Sequence, residues 1–211
     1  GQEIFKELIK NVDVVVENYT PGLMKKWNLD YESILKPINP RLIYASISGY
    51  AQTGLEEYCK KQAFDLNIQS ESGILDALGM EGPPKIPLGD FSAGNVLALG
   101  ICQALYYREK TGKGQFVDLS MLDLMYALNV RSQIREYMPQ AQKQEKATQI
   151  LPTYNQFPTK DGLKVGIVTI TEKQFKRLST VIGKPELTKD KRFRNAVSRM
   201  DHIEELDVIL K

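Results

Sequence analysis

Histidine is almost missing from this chain: His202 is the only one in 211 residues, and it lies in an acidic helical stretch near the C-terminus. That scarcity argues against His-ligated metals and against Ser/His or Cys/His catalysis within one chain. Chemistry then falls to carboxylates, hydroxyls, amides or lysine. Cysteine is nearly as scarce. Cys59 and Cys102 are far apart and form no CxxC or zinc-ligand spacing, so no metal is expected and a reducing compartment is the simpler inference. There is no excess of either charge, since 28 Lys and Arg face 26 Asp and Glu for a net +2, and nothing general calls for nucleic acid as a partner. The most basic stretch, Lys184 to Arg199, is diluted by Glu186 and Asp190 and reads as a solvated surface. No secretory signal pattern and no unbroken run of 18 apolar residues occur, which predicts no membrane association and a cytoplasmic location. An initiator methionine is also lacking. The chain enters a helical pattern at once after Gly1, as a trimmed or partial chain would.

Hydrophobic residues make up 42% of the chain, enough for a sizeable core. Ile4, Leu8 and Ile9 predict a short amphipathic helix, and Val12 to Val16 a buried strand. After a Pro21-Gly22 break come a short helix from Leu23 to Trp27 and another from Tyr31 to Lys36, stopped by Pro37. Leu42 to Ser48 reads as a second buried strand. Two such strands joined by helices predict a Rossmann-like parallel sheet with flanking helices. Further helices are expected from Phe64 to Leu78, from Phe91 to Lys110 and from Leu122 to Met138, with a strand from Phe116 to Leu119. Residues 139–150 are polar and without apolar periodicity. They read as a linker between residues 1–138, an incomplete large α/β domain, and 151–211, part of a smaller α+β domain. The smaller part opens with a hairpin around Asp161-Gly162, followed by helices from Thr171 to Gly183 and from His202 to Leu210. No internal repeat is found.

The segment Pro87-Leu-Gly-Asp-Phe-Ser-Ala-Gly-Asn95 places one carboxylate, Asp90, directly ahead of a long apolar helical pattern that reads as buried. Asp90 or Ser92 falls at the helix start, where free N–H groups and the positive dipole end keep a carboxylate ionised. An ordinary N-cap accounts for such a residue equally well. Lys110-Thr-Gly-Lys-Gly-Gln115 is not a phosphate loop, because a helix precedes it and a strand follows, which suits a helix C-cap turn. Gly49-Tyr-Ala-Gln-Thr-Gly54 lies after a strand, where parallel sheets place ligands.

In this order the segments resemble the family III CoA-transferases, a group that includes formyl-CoA and carnitine CoA-transferases and 2-methylacyl-CoA racemases. The resemblance rests on residues 13–22 (DVVVENYTPG), 39–54 (NPRLIYASISGYAQTG), 89–94 (GDFSAG), 107–118 (YREKTGKGQFVD) and 157–162 (FPTKDG), collinear over nearly the whole chain. It implies that Asp90 is the catalytic carboxylate, a nucleophile that takes the acyl group and then CoA in covalent linkage. It implies CoA contacts at Asn18 and Tyr19, at Lys26 where the family often has arginine, and at Phe64 near the thioester. Turn formation, ring packing, a solvated helix face and core packing account for these four residues as well. Coenzyme A and acyl-CoA are then substrates, with no permanently bound cofactor, and the acceptor is a carboxylic acid. Racemases use a histidine at or next to Phe64, and none stands there, so transfer is expected over racemisation. An inactive CoA-binding module is the remaining alternative. The family's glycine run over the active site has no counterpart between Gln149 and Asn155, which predicts an acceptor bulkier than formate or oxalate. The resemblance further implies segments on both sides of this chain and an interlocked homodimer.

Overall fold

The computed structural model describes residues 1–80, 82, 84–130 and 152–211. They fall into two units, Gly1–Tyr137 and Met138–Lys211. The expected linker, 139–150, lies outside the described residues, as does the expected helix beyond residue 130.

The first unit is built on three parallel strands in the order β1-β2-β3: β1 (Val14–Glu17), β2 (Ile43–Ser48) and β3 (Phe116–Ser120). Val14 pairs with Ile43 and Tyr44 with Phe116, so the three β-branched or aromatic runs align in register. The central strand is buried. β1 is an edge, and Val16 is 57% exposed, which corrects the reading of a buried strand: its valines alternate between a packed face and an open one. Strand alternation divides two apolar clusters. Tyr44 and Phe116 join Ile9, Met24, Leu29, Tyr31, Leu35 and Leu42 on one face, while Ile47 and Leu119 join Tyr50, Ile68, Ala93, Met121 and Met125 on the other.

Helix α1 (Gln2–Ile9) buries Ile9 and packs Phe5, one turn earlier, whereas Ile4 and Leu8 stay exposed. The apolar stripe therefore runs one residue away from the one expected, continuing into Val12. Asn39 then fastens this segment, donating from Nδ2 to the carbonyls of Ile9 and Val12 at 2.9 and 3.0 Å. Helix α2 (Leu23–Lys26) follows Gly22, whose φ of +84° makes the Pro21-Gly22 break. Pro37 does not stop the next helix. A π-helical turn, Tyr31–Leu35, passes into α3 (Lys36–Ile38) with Pro37 in its first turn, where a missing N–H costs nothing.

A short helix α4 (Glu56–Cys59) precedes the expected long helix at Phe64 to Leu78. That helix is broken into α5 (Asp65–Glu71) and α6 (Ile74–Ala77) because Gly73 turns left-handed at φ +69°. The Ser72 carbonyl freed by the break accepts from Asn129 Nδ2 at 2.9 Å.

Helix α7 (Leu88–Thr111) packs on β2 and β3 and ends at Gly112, a left-handed C-cap as the glycine turn predicts. Its last turn is tied to the sheet by buried Arg108, which contacts the Asp13 carboxylate at 2.9 Å and donates to the Asp13 and Arg41 carbonyls. The helix is not buried all round. Gly89, Ala93, Leu97, Ala104 and Arg108 form the buried stripe, and Phe91, Leu99, Cys102 and Tyr106 are exposed. Among the described residues it is the one helix long and apolar enough to cross a membrane, a criterion of length and composition that a core helix also meets. Ser120 caps the following helix, α8 (Met121–Leu128), by accepting from the Asp123 N–H.

In the second unit, β4 (Asn155–Pro158) and β5 (Lys164–Ile167) form the expected antiparallel hairpin, with Gly162 at φ +81° in its turn. The helix Glu172–Val181 starts at a Thr171/Gln174 capping box, and the helix Ile203–Leu210 closes the chain. The basic stretch between them is not simply solvated. Arg199 is 2% exposed, lies 4.1 Å over the Phe175 ring and pairs with Glu172 at 2.9 Å, beside a core of Phe175, Leu187, Phe193 and Leu206.

Candidate functional site

Asp90 is exposed and is the third residue of α7, not its cap. The helix begins after Pro87 with no capping side chain of its own. The start lies at the carboxyl end of the sheet, because α7 runs back alongside β3 to reach it, and a Cβ at Gly89 would touch Met121 just after β3. The Asp90 N–H instead donates to Asp65 Oδ1 at 3.1 Å, so the first turn is held by a carboxylate from α5. This changes the electrostatics expected of a helix start. Partial loss of water and then the Asp65 charge push the Asp90 carboxyl above the ordinary carboxylate value, where the dipole alone would lower it. Phe64, immediately before Asp65, exposes 71% of its surface and is therefore not a core residue. With Phe91 it leaves aromatic surface next to the two carboxylates.

The second group of residues lies on the loop after β1, Asn18 and Tyr19, and at the end of α2, Lys26. Asn18, Tyr19 and Lys26 are all exposed. The Tyr19 ring meets Trp27 edge-on at 5.1 Å, so this segment presents an aromatic pair beside a lysine. Its backbone is held from beneath. Buried Glu17, the last residue of β1, accepts the Tyr19 N–H at 2.7 Å through one oxygen and Gln52 Nε2 at 3.2 Å through the other.

Gln52 joins all three strand ends. Its Nε2 also donates to Ser46 Oγ at 2.9 Å, its N–H reaches both Asp118 oxygens at 3.1 and 3.0 Å, and its Oε1 faces the Gly22 N–H at 3.4 Å. Burial pushes the Asp118 carboxyl up, against hydrogen bonds from Gln52 and Thr53 that pull it down. The preceding Ala51 takes φ +68°, a strained value for a side chain with a Cβ, in the turn that aims Gln52 back at the sheet.

The structure thus gathers the candidates into two clusters, one of Phe64 with Asp90 and one of Asn18, Tyr19 and Lys26. Asp65, Gln52 and Trp27 are additions that sequence patterns did not mark, although Gln52 lies inside a segment, 39–54, that carried the resemblance. Among the described residues no group of three His, Cys, Asp or Glu side chains is placed to hold a metal.

Comparison with known proteins bears on the family and the fold. The model of CoA-transferase family III matches residues 1–211. Succinyl-CoA–D-citramalate CoA-transferase of Chloroflexus aurantiacus is 36% identical over 217 residues, covering 100% of this chain and 53% of that protein. Acetyl-CoA:oxalate CoA-transferase of Acetobacter aceti is 38% identical over 219 residues, covering 99% and 54%. The crystal structure of Rv3272 from Mycobacterium tuberculosis superposes with a TM-score of 0.84 at 27% identity, over 99% of this chain and 56% of that one. The chain spans about half the length of these relatives. With a matching fold, collinear motifs and a family match over its full length, it belongs to CoA-transferase family III.

Proposed function

We propose that the protein transfers coenzyme A from an acyl-CoA donor to a carboxylic acid, with Asp90 as covalent nucleophile. The observation that carries this reading is an exposed carboxylate fixed at the start of α7, at the ligand-binding end of a parallel sheet, in a chain of this family. An Asp90 oxygen attacks the thioester carbonyl, the C–S bond breaks, and CoA leaves as thiolate from a mixed anhydride. The thiolate then attacks the Asp90 carbonyl carbon, releasing the donor acid and leaving an aspartyl-CoA thioester. The acceptor carboxylate repeats the two exchanges in reverse, restoring the Asp90 carboxylate with no net proton or redox change.

Asn18, Tyr19 and Lys26 supply contacts for CoA, the lysine offering a point charge to phosphate. The Tyr19–Trp27 pair adds an aromatic face suited to adenine. Phe64 lies beside the thioester. The two relatives described act on citramalate and oxalate, both dicarboxylic acids, and a dicarboxylate acceptor is proposed here. The absence of glycine from 149 to 155 favours a dicarboxylate bulkier than oxalate. A cytoplasmic, interlocked homodimer belongs to the same proposal. Racemisation has no support at Phe64, where a phenyl ring offers no base.

The test is peptide mass spectrometry on the intact protein after incubation with succinyl-CoA or acetyl-CoA and trapping with hydroxylamine. Modification should be confined to the peptide carrying Asp90, and Asp90→Asn should lower kcat by about 10³-fold or more. Transfer activity without an Asp90 adduct, or an active Asn variant, would refute the proposal.

A further inference from the structure

We propose that Asp65 is a positioning residue for Asp90: it holds the first turn of α7 from the neighbouring helix and sets a second carboxylate beside the reactive one, so that acylation of Asp90 relieves a repulsion. The inference rests on the aspartyl-transfer reading above.

Three contacts fix Asp65 in this place. Oδ1 accepts the Asp90 N–H at 3.1 Å, an N–H that α7 leaves unpaired within itself. The approach is close enough that a Cβ on Gly89 would lie 2.8 Å from Oδ1, so the glycine before Asp90 is what lets the carboxylate in. Oδ2 accepts from Gln69 Nε2 at 2.6 Å, one turn along α5. Gln69 is fully buried and, among the described residues, its Oε1 has no hydrogen-bond partner and Asp65 is what orients its amide. A first-turn aspartate could stabilise its own helix. Here one oxygen is engaged on α7, by the Asp90 N–H, and the other on a side chain of its own helix, Gln69.

The chemistry follows from charge. Two carboxylates side by side repel while both are ionised, and converting one to an anhydride or thioester removes its charge. The negative charge passes to the CoA thiolate or the departing acid, so the pair favours the covalent adduct over the free nucleophile. Partial loss of water first, and the Asp65 charge second, also raise the Asp90 pKa, which strengthens the nucleophile. Of the other acidic groups on elements packed against α7, Glu71 on α5 accepts from the Tyr50 hydroxyl, Asp118 on β3 accepts from the Gln52 N–H, and Asp123 lies on α8 beside Asp118.

The variant that separates charge from scaffold is Asp65→Asn in the intact protein. It keeps an oxygen for the Asp90 N–H, and Gln69 can turn its amide so that the unpaired Oε1 meets the new NH2. We expect an unchanged melting temperature, a KM for acyl-CoA within about twofold, and kcat lowered by about tenfold. The acid limb of the kcat/KM profile should move to lower pH, and the hydroxylamine-trapped Asp90 adduct should diminish. Unchanged kcat with an unmoved acid limb would overturn the proposal, as would a loss confined to KM. Failure of the underlying reading shows separately, as wild-type protein that transfers CoA without a trapped Asp90 adduct.

Discussion

Replacing Gln52 by leucine should both loosen the first unit and weaken CoA binding, because one side chain ties the loop bearing Asn18 and Tyr19 to the strand ends. The change keeps side-chain volume and leaves the backbone N–H of residue 52 on Asp118. It removes the bond to Glu17, whose carboxylate acceptor makes it worth about 1.5–3 kcal/mol, and the bond to Ser46, a neutral contact worth about 0.5–1.5 kcal/mol. The 3.4 Å contact with Gly22 is too long to add much. Glu17 keeps the Tyr19 N–H on one oxygen, so it is not stranded without a partner. The expected loss is roughly 2–4.5 kcal/mol, which at about 2–4 °C per kcal/mol lowers the melting temperature by roughly 4–18 °C. Urea unfolding of the intact protein followed by circular dichroism, paired with calorimetric titration of CoA, measures both effects. A midpoint unchanged to within about 0.5 kcal/mol, together with unaltered CoA affinity, would show that the loop is held by something other than Gln52.

Two further outcomes are expected. Gly114→Ala places a Cβ 1.9 Å from the Leu42 carbonyl oxygen and 2.5 Å from its carbon, both backbone atoms of the neighbouring chain segment. A loss above about 3 kcal/mol is expected, measured as a lower urea midpoint, and a near-neutral result would mean that the Gly112–Gln115 turn has another conformation. In the second unit, the Arg199 guanidinium holds the Glu172 carboxyl below its ordinary value of 4.5. Its contribution to stability is then present above that ordinary value and lost as pH falls through the lowered one. Melting curves from pH 7 to pH 2 should therefore converge for wild type and Glu172→Gln at the acid end and separate toward neutrality; parallel curves would contradict the pairing.

The parallel strands were legible because Val14 to Val16, Ile43 to Ile47 and Phe116 to Leu119 are β-branched and aromatic runs separated by helical periodicity. The reactive candidate was legible as a carboxylate near a helix start. Its partner was not, since Asp65 lies 25 residues away and acts through a backbone N–H that no residue pattern displays. Gln52 is hidden for the same reason, meeting Asp118 from 66 residues away. Arg199 misleads differently: a basic run reads as surface, and only the Phe175 ring beneath one guanidinium reveals a buried member. For α7 the apolar composition suggested burial all round, but burial depends on which neighbours a face meets, and Phe91, Leu99 and Tyr106 meet few among the described residues.

Arg108 and Asp65 clamp opposite ends of the same 24-residue rod, about 36 Å long. The azimuth of Asp90 is consequently metered by the helix: one residue inserted between Asp90 and the buried Ala93 would swing the carboxylate about 100° around the axis, while the Arg108 anchor stayed in place. Length within α7 is thus a constraint on the placement of Asp90, and a single-codon insertion there would turn its carboxylate away from Asp65 while leaving every side chain in the sequence intact.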